Sequence, residues 1–243
     1  MVVILLGFMS EFLEISPNAD VSVDYNSGDA RKYISITESY KKLGKDFCLA
    51  LLFFHCFSGA DATAAFYKLT KKAWFNYWIS FPMKDELTRC FQILSCCPTV
   101  EEVAEAMKLI AKFVMFAYNK NISDTDIDEF RLQMFHRSSV NDLRILPPSA
   151  ASLALHIYRS AYQAGWVWGN TLSLNPMPFT ELWGWRIHKG HLCIKWTFNS
   201  RVDLDPATGI CKCKTLKCTA CKCAKSSRRC LTFCTCSRSC KNV

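Results

Sequence analysis

Nine of the chain's 15 cysteines fall after residue 210, at Cys211, Cys213, Cys218, Cys221, Cys223, Cys230, Cys234, Cys236 and Cys240. Their spacing is C-x-C-x4-C-x2-C-x-C-x6-C-x3-C-x-C-x3-C-x-N. Thiolates at this density are zinc ligands, and zinc takes four of them in a tetrahedron. Terminal ligation alone would fill two sites and leave one thiolate over. Three zinc ions need twelve ligand positions, which nine thiolates supply when three of them bridge two metals. The C-x-C pairs suit such a cluster, because sulfurs one residue apart can reach neighbouring ions. Metal binding would also provide the folding free energy that a segment with only Leu216, Leu231 and Phe233 as large apolar groups cannot supply. Metal storage is the alternative chemistry for the same pattern.

Charge follows the cysteines. From residue 211 onward there are six lysines (Lys212, Lys214, Lys217, Lys222, Lys225, Lys241), three arginines (Arg228, Arg229, Arg238) and no acid, whereas residues 1–210 hold 21 basic and 21 acidic side chains. The whole net charge of +9 therefore sits at one end. Nine thiolates and three divalent ions sum to about −3, so a loaded module would keep about +6. A neutral body with a basic end points to a polyanion, in which lysines contact phosphate and Arg228, Arg229 and Arg238 reach base edges.

The segment 211–243 resembles the tesmin-type CXC cysteine-rich domain, including its closing Cys240-Lys241-Asn242. That resemblance implies a three-zinc cluster and DNA binding, with double-stranded DNA as the partner. Many members carry tandem modules and a tyrosine just before the fourth cysteine that enters the minor groove. This chain has one module, and Ala220 stands in that place within a shortened gap.

In the remainder, His55-Cys56-Phe57-Ser58-Gly59-Ala60-Asp61-Ala62-Thr63-Ala64-Ala65-Phe66, followed by Lys71-Lys72-Ala73, is the most motif-like stretch. It is similar to the Gly-x-Asp segment of flap-endonuclease-like (PIN-like) proteins, where the aspartate helps hold a divalent metal and a helix-hairpin-helix follows. Leu146-Pro147-Pro148, the run His156–Gln163 and Gly184-Trp185 resemble proteins associated with animal mobile elements that join such a region to a CXC-like tail. The resemblance makes Asp61 a candidate metal ligand. A helix N-cap is the plain structural role for the same residue. Two-metal hydrolysis needs several carboxylates converging on the ions. Glu11, Glu14, Asp20 and Asp24 precede Asp61 without a recognisable pattern, and Lys68-Leu69-Thr70 replaces the hairpin glycines that let backbone approach phosphate. The expectation is a truncated, non-catalytic remnant with no assigned catalytic residue. A metal-dependent nuclease and a zinc-dependent interaction scaffold are the alternatives.

Three histidines stand near other polar groups. His156 and Arg159 lie one helical turn apart beside Tyr162, fit either for a polar site or for buried hydrogen bonding. His188, His191 and Cys193 offer only three potential ligands in a basic turn, a weak signal for zinc. The six other cysteines, Cys48, Cys56, Cys90, Cys96, Cys97 and Cys193, read as small buried hydrophobes.

Elements that would position these groups are mainly helical. Residues 2–8 fit a buried strand, and Val21–Tyr25 alternates as a second, ended by Asn26-Ser27-Gly28. Ser35–Leu43 and the apolar Asp46–His55 are expected helices. Thr99-Val100-Glu101-Glu102 is a capping box that opens a helix to about Tyr118, with Val103, Met107, Ile110 and Val114 on one face. A start signal at Ser123 precedes the stripe Ile127, Phe130, Met134 and Phe135. Pro147-Pro148 leads into a helix from about Ala150 to Trp168. Beyond Asn175-Pro176-Met177-Pro178 comes an irregular stretch with Trp183, Trp185 and Trp196, and a hairpin is expected around Lys189-Gly190. Asp205–Gly209 reads as a linker. The expected organisation is a mainly α body with a small α/β N-terminal part over 1–204, and a zinc module over 205–243.

Composition places the chain in a compartment. Paired disulfides would require a secretory route, but Met1–Met9 is apolar with no basic residue ahead of it and no small-residue cleavage site. No stretch approaches the ~20 apolar residues that span a bilayer. A reduced intracellular or nuclear protein, not secreted and not membrane-bound, is expected.

Overall fold

The computed structural model describes residues 1–25, 28, 31–120, 125–137, 143–171, 174–197 and 225. The chain divides into two units, Met1–Thr197 and Phe198–Val243. The linker Asp205–Gly209, the expected boundary at 204/205 and the cysteine module, apart from Lys225, lie outside the described residues.

In the first unit the described elements run α1 (Val2–Gly7), α2 (Met9–Ile15), β1 (Ser22–Tyr25), β2 (Lys32–Ser35), α3 (Ile36–Leu43), α4 (Lys45–Phe57), α5 (Lys71–Ser80), α6 (Lys84–Leu94), α7 (Val100–Tyr118), α8 (Ile127–Arg137) and α9 (Ala150–Ala161). A π-helical segment (Tyr162–Trp168) continues α9, and β3 (Trp185–His188) and β4 (His191–Ile194) follow. The unit is mainly helical, with two separate antiparallel hairpins.

Most helix starts are written in side-chain oxygens. Thr99 Oγ1 accepts from Glu102 N at 3.1 Å and the Glu102 carboxylate accepts from Thr99 N at 2.7 Å, so the capping box forms as expected. Ser35 caps α3 and Thr70 caps α5 in the same way. Ser149, directly after Pro147-Pro148, caps α9, and Asp128 Oδ1 accepts from Ala150 N at 2.9 Å. α8 starts later than its expected signal: Asp126 Oδ1 accepts from Glu129 N at 2.8 Å, while Ser123 lies outside the described residues. In the β3–β4 hairpin Lys189 and Gly190 both take positive φ, 51° and 77°, as a two-residue primed turn requires.

The strand expected over residues 2–8 is a helix. An unbroken apolar run carries no periodicity that distinguishes a strand from a buried helical turn, and packing decides the matter. α1 lies on α4, and a Cβ at Gly7 would stand 2.8 Å from Leu52 Cδ1, so the glycine permits that approach.

α4 is apolar on nearly all sides because it runs through the core: Leu52, Phe53, Cys56 and Phe57 have no exposed surface. It packs against α1, α6 and α9. Around it Trp74, Trp78, Phe91 and Phe113 form a continuous aromatic cluster. Phe47 stacks on Trp78 at 4.5 Å and 9°, and Phe57 meets Trp74 edge-on at 5.4 Å. Burial on this scale contributes roughly 1.5–3 kcal/mol for each large side chain and supplies the rigidity on which the polar groups below depend.

Candidate metal and nucleic-acid sites

The nine candidate zinc ligands, and Lys212, Lys214, Lys217, Lys222, Arg228, Arg229 and Arg238, lie outside the described residues. Lys225 is exposed. The geometry of the body is the geometry of its motif-like segment, 55–66, and of the polar residues of α9.

The last four carbonyls of a helix have no partner within it. At the end of α4 all four are satisfied, by residues of the motif, by Lys71 and by His156. Phe54 O accepts from Ser58 N and from Ser58 Oγ at 2.8 Å. His55 O accepts from Lys71 Nζ at 2.7 Å. Cys56 O accepts from Gly59 N and, at 2.6 Å, from Thr63 Oγ1. Phe57 O is 2.8 Å from His156 Nε2. The Lys71 ammonium also donates to Ser58 Oγ at 3.1 Å and to Gly59 O, which places a cation at the negative end of the α4 dipole. Gly59 has φ 110°, and a Cβ there would lie 2.7 Å from Ala65 Cβ, so only glycine closes this turn.

Asp61 sits exposed at the tip of the turn closed by the Ala60–Thr63 bridge. It caps no helix, contrary to the plain structural role expected for it, because the turn leads into irregular chain and Thr70 opens the next helix. It edges a cleft of about 320 Å³ whose other lining includes Ile4, His55, Gln163 and Trp168, and Asp61 is the one carboxylate among the described lining residues. His55 is held below its usual pKa, by burial first and then by Lys71, with Asp61 opposing. Of the upstream acids, Asp24 is engaged by Arg31 and Glu11 accepts from Ser10 Oγ at 3.0 Å. After the turn, Lys68 adopts φ 60°, a conformation that glycine would take without strain.

His156 takes the buried hydrogen-bonding role. It is 7% exposed, and burial lowers its pKa to about 4. Phe57 O can only accept, so Nε2 carries the proton and Nδ1 of the neutral ring keeps a lone pair. Arg159 Nη1 donates to Gly184 O at 3.1 Å, which ties α9 to the turn before β3. Tyr162 packs against Trp183 at 5.8 Å and does not join them. His156 and Arg159 instead share a second cleft, about 220 Å³, with Phe66, Lys195 and Trp196. The sequence names Phe66 and Trp196 only as parts of other segments, and Lys195 not at all. Only the fold reveals that residues about 130 positions apart meet there.

His188 and His191 face each other across the β3–β4 register, both exposed, with Cys193 opposite Arg186. Among the described residues no three His, Cys, Asp or Glu side chains are grouped to hold a metal. Cys48, Cys56 and Cys90 are buried free thiols whose pKa burial pushes up. The expectation of burial fails for Cys96, which is exposed, and for Cys97 and Cys193, which are half-buried. Cys96 and Cys97 lie in the turn after α6, where the chain leaves the core before Pro98. No helix among the described residues is long and apolar enough to cross a membrane. Compared with protein-family models, curated proteins and solved structures, the chain matches none.

Proposed function

We propose that this chain is a non-catalytic nucleic-acid-binding protein whose C-terminal module, 205–243, uses nine cysteines and about three zinc ions to present a basic surface to double-stranded DNA. The observation that carries the reading is the joint segregation of charge and thiols: the entire +9 and nine of the 15 cysteines lie beyond residue 210. The body supports it from the other side. Three of its cysteines are buried and held protonated, poor metal ligands, and among the described residues Cys96, Cys97 and Cys193 join no group of three potential metal ligands. The segment that resembles a nuclease motif spends its residues on finishing α4, and Asp61 shares its cleft with no second carboxylate among the described residues. Descent from a mobile-element protein, with a PIN-like region reduced to a scaffold, accounts for this combination, and a nuclear or otherwise intracellular location follows from the partner.

The test is a salt series on duplex DNA. With four or five basic groups on phosphate, log K falls with log salt at a slope of roughly −4. Replacing Arg228 and Arg229 with alanine weakens binding to all sequences alike and flattens the slope by about one unit per lost phosphate contact. A chain ending at Pro206 that binds duplex DNA as tightly as the whole would place the function in the body and overturn the reading.

A further inference from the structure

The cleft formed by Phe66, His156, Arg159, Lys195 and Trp196 is not explained by capping α4. His156 forms part of its wall, bonded through Nε2 to Phe57 O and met edge-on by Phe66 at 5.2 Å and 90°. That bond leaves Nδ1 as a fixed acceptor. Trp196 is 68% exposed, an unusual position for an indole in a chain whose Trp74, Trp78 and Trp183 are wholly or almost wholly buried. Two cations line the same space, and among the described residues no carboxylate does. Arg159 commits one N–H to Gly184 O and a guanidinium has five. At about 220 Å³ the cleft is small beside the roughly 300–1,000 Å³ of sites that enclose whole ligands. It has room for one flat ring, with anything attached left at the rim.

Flat apolar faces and cations without counter-charges are the components by which proteins hold unpaired nucleotides: the base stacks on aromatic carbon while phosphate is met by Arg and Lys. We infer that this cleft binds one unpaired base of single-stranded nucleic acid, with the adjoining phosphate on Lys195 and Arg159. A duplex keeps its bases stacked and cannot offer one, so this site is separate in substrate from the tail, although it rests on the reading of the chain as a nucleic-acid-binding protein.

The experiment uses the full chain carrying Arg228→Ala and Arg229→Ala, which weakens binding by the tail. Its probe is a fluorescent oligothymidylate containing a single 5-iododeoxyuridine. Anisotropy gives affinity, and photocrosslinking followed by peptide mapping gives location. The crosslink is expected on Phe66 or Trp196, and Trp196→Ala is expected to weaken binding about tenfold, within the range of a base–aromatic stack. Lys195→Glu should weaken it and lower its salt dependence. Both side chains are exposed, so an unchanged urea midpoint establishes that these variants remain folded. Duplex binding by the chain with its arginines intact should not respond to Trp196→Ala. Crosslinks confined to residues beyond 197, or no effect of Trp196→Ala on the oligonucleotide, would each overturn the proposal. Neither result would disturb the tail's salt-dependent duplex binding, so the two readings fail separately.

Discussion

Lowering the pH should remove stability through His156. In the unfolded chain an imidazole titrates near 6.5, whereas in the folded protein burial brings His156 to about 4. The folded pKa is depressed, so between these values the unfolded chain binds the additional proton and acid favours unfolding. The contribution is complete above about pH 6.5 and is lost as pH falls towards 4. The full shift corresponds to about 3 kcal/mol, of which about 2 kcal/mol is gone by pH 5. Urea titrations followed by tryptophan fluorescence would measure it, since Trp74, Trp78 and Trp183 are buried. They should be run in chelator so that bound metal, should the zinc proposal hold, does not contribute. His55, at the end of α4, also has a lowered pKa and acts with the same sign. The comparison that isolates His156 is therefore with His156→Gln, which retains an N–H donor for Phe57 O but does not titrate. Between pH 7.5 and 4.5 the wild type should lose about 2–3 kcal/mol more than the variant. Parallel profiles would show that the ring titrates alike in the folded and unfolded chains, and the depression of its pKa by burial would be refuted.

Native mass spectrometry of the full chain should find about three zinc ions, removed by chelator with loss of duplex binding; zero stoichiometry, or the nine tail cysteines paired as disulfides, would refute the zinc reading. Lys71→Met should lower stability by about 1 kcal/mol, because it strips donors from the end of α4, while Lys72→Met next to it should change little; equal effects would deny Lys71 its capping role. The full chain should not cleave flapped, single-stranded or duplex DNA with magnesium or manganese, and cleavage abolished by Asp61→Ala would make it a nuclease.

Legibility tracks the distance over which a signal acts. The Thr99–Glu102 box, the Pro147-Pro148 entry to α9 and the Lys189-Gly190 turn depend on residues a few positions apart, and all form where expected. α1 is misread because Val2–Leu6 offers only apolarity, and β-branched residues weigh towards a strand until α4 is there to pack against. The 55–66 segment shows the opposite limit. Its residue types resemble a metal-holding nuclease segment, yet the hydrogen bonds of Ser58 and Thr63 go to backbone, a use visible only once Lys71 and His156 are placed. The second cleft needs the whole body, since α9, the turn after α4 and the strand end at Lys195 meet only in the folded unit.

The carbonyls at the end of α4 also set an order of assembly. Ser58 and Gly59 arrive with the helix, Thr63 Oγ1 comes from seven residues along, Lys71 from 16, and His156 from 99. The final turn can therefore begin as a local structure but is completed only when α9 docks. Opening of α9 must release Phe57 O, and fraying of α4 must release His156, so the two helices share one cooperative unit despite their separation in sequence. In hydrogen exchange, the amides in the middle of α9 should become exposed together with those of the last turn of α4, rather than with those of α8, their nearer neighbour along the chain.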